Sequence, residues 1–236
     1  MPTARALFAA FSLLCLAACK DRLFDNPYDP DAELRAYEIL ATLQTGAVAP
    51  LDLTFSGDAL WAADALGRVV ALNYSTGALI RELEVAQAVS GVAYDGEDLW
   101  LSVKDSAQLV QVNIVNGAQV RMLNLLRGRF GALDYANGRL YVADTLTNAV
   151  LVVDPQSGEI ERSLAQPGFA IDGLCFDGSS LWTIDATQMK IFRLDGNGAL
   201  LNSYQAPSRT VAGLAFAGGI HWCGDRSGRI YKIRFP

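Results

Sequence analysis

Five near-copies of one unit, marker aromatics 39 to 41 residues apart and four β-rich runs in each of the first four copies predict an all-β fold, a single five-bladed β-propeller of four-stranded blades. The clearest track is an apolar run, a turn, then Leu-Trp or its equivalent. It reads LTFSGDALW from Leu53, VAYDGEDLW from Val92, LDYANGRLY from Leu133, LCFDGSSLW from Leu174 and LAFAGGIHW from Leu214. Its markers are Trp61, Trp100, Tyr141, Trp182 and Trp222. The first two strands of each unit flank that turn. Asp95-Gly96 and Asp177-Gly178 are strong hairpin signals, because Asp caps the turn and Gly supplies a positive φ.

A third strand follows each marker, from Val69-Val70-Ala71-Leu72 in the first unit to Ile230-Tyr231-Lys232-Ile233 in the fifth. In the first four units a turn ends it, running from Asn73 to Gly77, Asn113 to Gly117, Asp154 to Gly158 and Asp195 to Gly198. Fourth strands come next, over residues 79–85, 119–125, 160–164 and 200–204. The fifth unit stops at Phe235-Pro236, before its fourth strand, and residues 37–43 supply the missing piece. The N-terminal strand therefore completes the last blade and closes the ring, covering the edge that the third strand of that blade would otherwise expose. Residues 36–236 form this domain, at about 40 residues per blade.

Composition agrees and excludes some functions. Of 236 residues 51% are hydrophobic and 19% charged, too apolar for disorder. With 25 acids against 19 bases the net charge is −6, so no nucleic-acid partner is expected. One His and four Cys argue against zinc-finger arrays, and no cofactor is assigned.

The N-terminus is an address. Arg5 precedes an apolar run from Ala6 to Ala18, broken only by Ser12. Thirteen helical residues span roughly 20 Å, too little for a hydrocarbon core of about 30 Å, so a signal peptide over residues 1–18 is expected. The run ends in Leu16-Ala17-Ala18-Cys19, which resembles the lipobox of bacterial lipoproteins. That resemblance implies that Cys19 becomes the lipid-bearing N-terminus and residues 19–35 a tether. Losing residues 1–18 removes Arg5 and no acid, which moves the net charge from −6 to −7. The membrane partner is then the lipid, not the acidic surface. Asn-Pro-Tyr-Asp-Pro at residues 26–30 resembles a tether motif of other bacterial lipoproteins. Lys20, where inner-membrane retention in enteric bacteria uses Asp, implies a lipid-anchored envelope protein of the outer membrane.

Within the domain, Asp64, Asp144, Asp185 and Asp225 each stand three residues after a marker, and the second unit has Val103 there. Such carboxylates could line a mouth and hold Ca²⁺, or could tie loops through backbone N–H groups. Repetition in unit after unit favours the second, and no metal site is assigned. His221 occupies the slot of Leu60, Leu99, Leu140 and Leu181, which favours a core role over a general base. Cys175 and Cys223 lie in adjacent units, as a disulfide or as buried thiols. Symmetry-breaking residues in the inter-blade connections and the loops after the second strands form the candidate binding rim: Asp52, Lys104, Arg127, Arg129, Phe130, Phe169, Asp172, Arg209 and Arg226.

Leu60 to Asp64, Leu140 to Asp144 and Asp154 to Gly158 resemble the YVTN and NHL-like propeller repeats. Five blades also characterise the plant and bacterial glutaminyl-peptide cyclotransferases. Ile171-Asp172-Gly173-Leu174 is similar to their repeat, without the Trp of their Glu-Gly-Trp-Gly-Leu segment. Together these features point to an envelope-anchored binding or scaffolding propeller for a protein, peptide or glycan. The alternative implied by resemblance is a cyclotransferase or a calcium-dependent lactonase, with Asp52 and Asp172 as mouth carboxylates. No residue is assigned a catalytic role.

Overall fold

The computed structural model describes residues 37–236; Cys19, the signal peptide and the tether lie outside them. Strand β1 (Glu38–Gln44) is followed by blade 1, made of β2 (Pro50–Phe55), β3 (Leu60–Asp64), β4 (Val69–Leu72) and β5 (Leu79–Leu83). Blade 2 holds β6 (Val89–Tyr94), β7 (Leu99–Val103), β8 (Gln108–Val112) and β9 (Gln119–Asn124). Blade 3 holds β10 (Phe130–Ala136), β11 (Arg139–Asp144), β12 (Ala149–Val153) and β13 (Ile160–Ala165). Blade 4 is β14 (Gly173–Phe176), β15 (Leu181–Asp185), β16 (Lys190–Leu194) and β17 (Leu200–Gln205). Blade 5 takes β18 (Val211–Ala217), β19 (Ile220–Asp225) and β20 (Arg229–Arg234), with β1 as its outer strand. These are five four-stranded antiparallel sheets, and the closing pairs include Thr42 with Tyr231 and Leu43 with Ile230.

Apolar burial explains why the units must form a ring. Each of five core clusters is shared by two neighbouring blades, so no blade has a core of its own. The marker aromatics are the wedges: Trp61 packs toward blade 2, Trp100 toward blade 3, Tyr141 toward blade 4, Trp182 toward blade 5 and Trp222 toward blade 1. The residue five positions earlier decides whether the indole N–H is satisfied. Trp61 donates to Ser56 at 3.1 Å, Trp100 to Asp95 at 3.0 Å and Trp182 to Asp177 at 2.7 Å. Trp222 has Ala217 there, and its indole nitrogen is buried without a partner among the described residues.

The ring centre is packed backbone to backbone. Asp52 aligns with Gly91, Ala132, Gly173 and Gly213 in the other inner strands. A Cβ on Gly213 would lie 2.6 Å from the Asp52 Cα, at a φ of +72°, and one on Gly91 only 2.2 Å from the Gly131 carbonyl oxygen. Small residues at these positions let the five blades close.

Candidate functional site: the linker face

Because successive strands are antiparallel, the loops after second strands and the links between blades leave the ring on one side, here the linker face. The hairpins after first and third strands leave on the other, the hairpin face.

Four second-strand aspartates lock the linker face. Asp64 accepts the N–H groups of Leu66 at 2.9 Å and Arg68 at 3.0 Å, and the Arg68 guanidinium at 2.8 Å. Asp144 accepts the N–H groups of Arg129 and Leu146, both at 3.0 Å, and the Thr147 hydroxyl at 2.7 Å. Asp185 accepts the N–H of Phe169 at 2.5 Å and of Gln188 at 2.9 Å. Asp225 accepts the Ser227 N–H and the Thr210 hydroxyl, both at 2.7 Å, and the Ser208 hydroxyl. Burial pushes the Asp144 and Asp225 carboxyls up, but these donors outweigh it and hold both below the usual range, Asp225 at about 2. In blades 3, 4 and 5 one carboxylate thus ties a blade's own loop to the link that precedes it. Among the described residues no three His, Cys, Asp or Glu side chains converge as a metal site.

The nine candidate rim residues separate on this frame. Lys104, Arg127 and Arg209 are exposed, with no side-chain hydrogen bond or ion pair among the described residues. Phe169 is 75% exposed. Arg129 pairs with Asp105, and Arg226 with Asp172 at 2.7 Å. Asp172 also accepts the Ala186 N–H at 2.9 Å. Phe130 and Asp52 are buried: Phe130 sits in the core between blades 2 and 3, and Asp52 lies at the ring centre. A register shift between Pro50 and Asp52 turns β2 so that this carboxyl points across the axis. It accepts the N–H of Val92 at 3.0 Å and of Leu133 at 2.8 Å, stitching blades 1, 2 and 3 together.

The other Asp52 oxygen is fully buried with no partner among the described residues, and burial pushes this carboxyl well above its ordinary value. Two positions further along the third inner strand, Asp134 accepts the Phe176 N–H at 2.7 Å. Burial raises its carboxyl to about 7. His221 packs 4.4 Å from the Trp182 ring and 5.0 Å from Phe235, with neither nitrogen bonded among the described residues, and burial lowers it to about 4. It is a core residue in a leucine slot. Cys175 and Cys223 are buried free thiols.

Two features of this face escaped the candidate rim residues. Leu126 and Leu146, in linker-face loops like Phe169, are 101% and 71% exposed. Charge is also polarised between the faces. Linker-face loops carry six bases (Arg68, Lys104, Arg127, Arg129, Arg209 and Arg226) against three acids, Glu84, Asp105 and Asp172. Hairpin-face loops carry eight acids and no Lys or Arg, several of the acids serving as turn caps.

No protein-family model matches the sequence, and no curated protein matches it. Among solved structures, the fold is similar to a Myxococcus xanthus glutaminyl cyclase, with TM-score 0.72 and 17% identity over 85% of this chain and 96% of that one. Virginiamycin B lyase from Staphylococcus aureus gives TM-score 0.50 at 16% identity, covering 80% of this chain and 67% of that one. The Cps50 (Swd1) β-propeller domain of Myceliophteria thermophila gives 0.51 at 14%, covering 80% and 65%. At these identities the likeness is one of fold.

Proposed function

We propose that this chain is an envelope lipoprotein, lipidated at Cys19 and held at the outer membrane by residues 19–35, whose propeller binds or scaffolds a protein, peptide or glycan. The observation that carries the binding reading is the linker face itself. Its loops are bonded to one another and to buried aspartates, yet it presents unpaired cations and bare apolar side chains. A stiff frame with undischarged contacts is what recognition needs, because little ordering entropy is lost on binding. Two experiments test the reading. The wild-type chain should fractionate with membranes and Cys19→Ala should not. A pull-down from solubilised membranes should recover one stoichiometric partner; recovery of none defeats the binding role.

A second reading, a cyclotransferase or lactonase, draws on the raised carboxyls of Asp52 and Asp134 at the ring centre. Asp52 is sealed from solvent and Asp172 is engaged by Arg226, so no open carboxylate pair faces a substrate. Turnover of glutaminyl peptides or lactones that Asp52→Asn abolishes would establish this second reading over the first.

A further inference from the structure

The linker face carries a continuous strip over blades 2 to 4. The Phe130 N–H donates to the Ser106 carbonyl at 3.1 Å, and the Thr145 N–H to the Arg129 carbonyl at 2.8 Å. The Asn148 side chain donates to the Gly168 carbonyl at 2.8 Å. Four successive loops are thereby fixed side by side. Their exposed large hydrophobic side chains are Leu126, Leu146 and Phe169, and the exposed Lys104 and Arg127 belong to the same loops. Arg209 lies one link further round the ring.

We propose that this strip docks an acidic peptide segment carrying a bulky apolar side chain. The inference rests on the binding reading above and names its partner. Charge complementarity selects the partner: Lys104, Arg127 and Arg209 have no ion-pair partner among the described residues, in a protein whose net charge is −6. The apolar residues supply a desolvated centre and the cations a polar rim, the usual anatomy of a protein interface. An anionic lipid surface shares part of this chemistry. The described chain, however, begins at Tyr37 on the hairpin face, where eight acids lie. Those acids and the net charge of −6 oppose close approach to an anionic bilayer, whereas a short peptide meets only the strip, which favours a peptide.

The test uses the full chain in a non-ionic detergent and a labelled peptide, Glu-Glu-Phe-Glu-Leu-Glu-Glu, followed by fluorescence anisotropy. Binding is expected at low salt and should weaken about tenfold or more in the charge-reversed variant K104E/R127E/R209E. Phe169→Ala, a single exposed change, should weaken it several-fold without moving the melting transition. Glu97→Lys on the hairpin face should leave binding unchanged. The proposal is overturned if the peptide fails to bind, if the charge-reversed variant binds equally well, or if a lysine version of the peptide does. Tight binding of phosphatidylglycerol vesicles to the linker face without peptide binding also overturns it. A stoichiometric membrane partner whose affinity ignores both variants removes this inference and leaves the binding role standing.

Discussion

Replacing His221 by Leu should stabilise the propeller, by an amount that grows as the pH falls. The position holds Leu60, Leu99, Leu140 and Leu181 in the other four blades, so the cavity accepts the new side chain. His221 is only 4% exposed, and both ring nitrogens lack a partner, which costs about 1–3 kcal/mol at any pH. Burial lowers the imidazole from 6.5 to about 4, so the folded state favours the neutral ring. That preference has no effect on stability above pH 6.5, and stability is lost as the pH falls from 6.5 to about 4. At 1.36 kcal/mol per unit the loss is about 3 kcal/mol. Urea unfolding of the wild type and His221→Leu at intervals from pH 4 to 8 reads both terms. The expected difference is about 1–3 kcal/mol at pH 8 and about 4–6 kcal/mol at pH 4. A difference that stays constant with pH would refute the assignment of acid sensitivity to this buried ring.

Asp134 should act in the opposite direction. Its carboxyl is raised by burial to about 7, so the protonated form is the folded one, and stability is lost as pH rises from about 4 to 7. Asp134→Asn keeps an acceptor for the Phe176 N–H and should flatten that slope, gaining about 2–4 kcal/mol at pH 8 by denaturant titration. Trp182→Phe removes a bond to Asp177, whereas Trp222→Phe removes none. The first should therefore cost about 1–2 kcal/mol more, measured by thermal unfolding at pH 7.5. Gly213→Ala places a methyl 2.6 Å from the Asp52 Cα at positive φ, and should cost about 3 kcal/mol and lower the melting temperature by about 6–12 °C.

The ring was legible in the sequence because its signals are local and repeated. Each strand spans one apolar run, each turn carries its own Asp, Asn or Gly, and the orphaned strand at residues 37–43 has one vacancy to fill. Observed strand limits fall within about two residues of those expected. The loop-tying role of Asp144, Asp185 and Asp225 was legible for the same reason. What failed to show were properties that depend on where a chain crosses the axis. Asp52 reads as a loop residue until the register shift after Pro50 turns it inward, and Phe130 reads as a rim aromatic until β10 is seen to begin with it. The polarisation of charge was present in the residues all along, but a net charge averages it away. It emerges only when topology assigns each loop to a face. Leu126 and Leu146 left a usable signal: large aliphatics inside segments otherwise rich in Thr, Asn, Gly and Arg.

The ion pair between Glu38 and Arg234, at 3.2 Å, joins residues 196 positions apart. Until residues 229–234 are available, the first strand of the fold has nothing to pair with, and the core shared by blades 5 and 1 is incomplete. A chain synthesised from its N-terminus therefore carries a bare strand from the start and must hold it unpaired until the final residues arrive. Contacts this distant in sequence slow folding, and a bare strand invites pairing with other molecules. In the finished molecule β1 is paired with β20 and forms the outer edge of blade 5. During its making, the same design is a long exposure, and a cell that produces this protein needs a means of covering residues 38–44 for that interval.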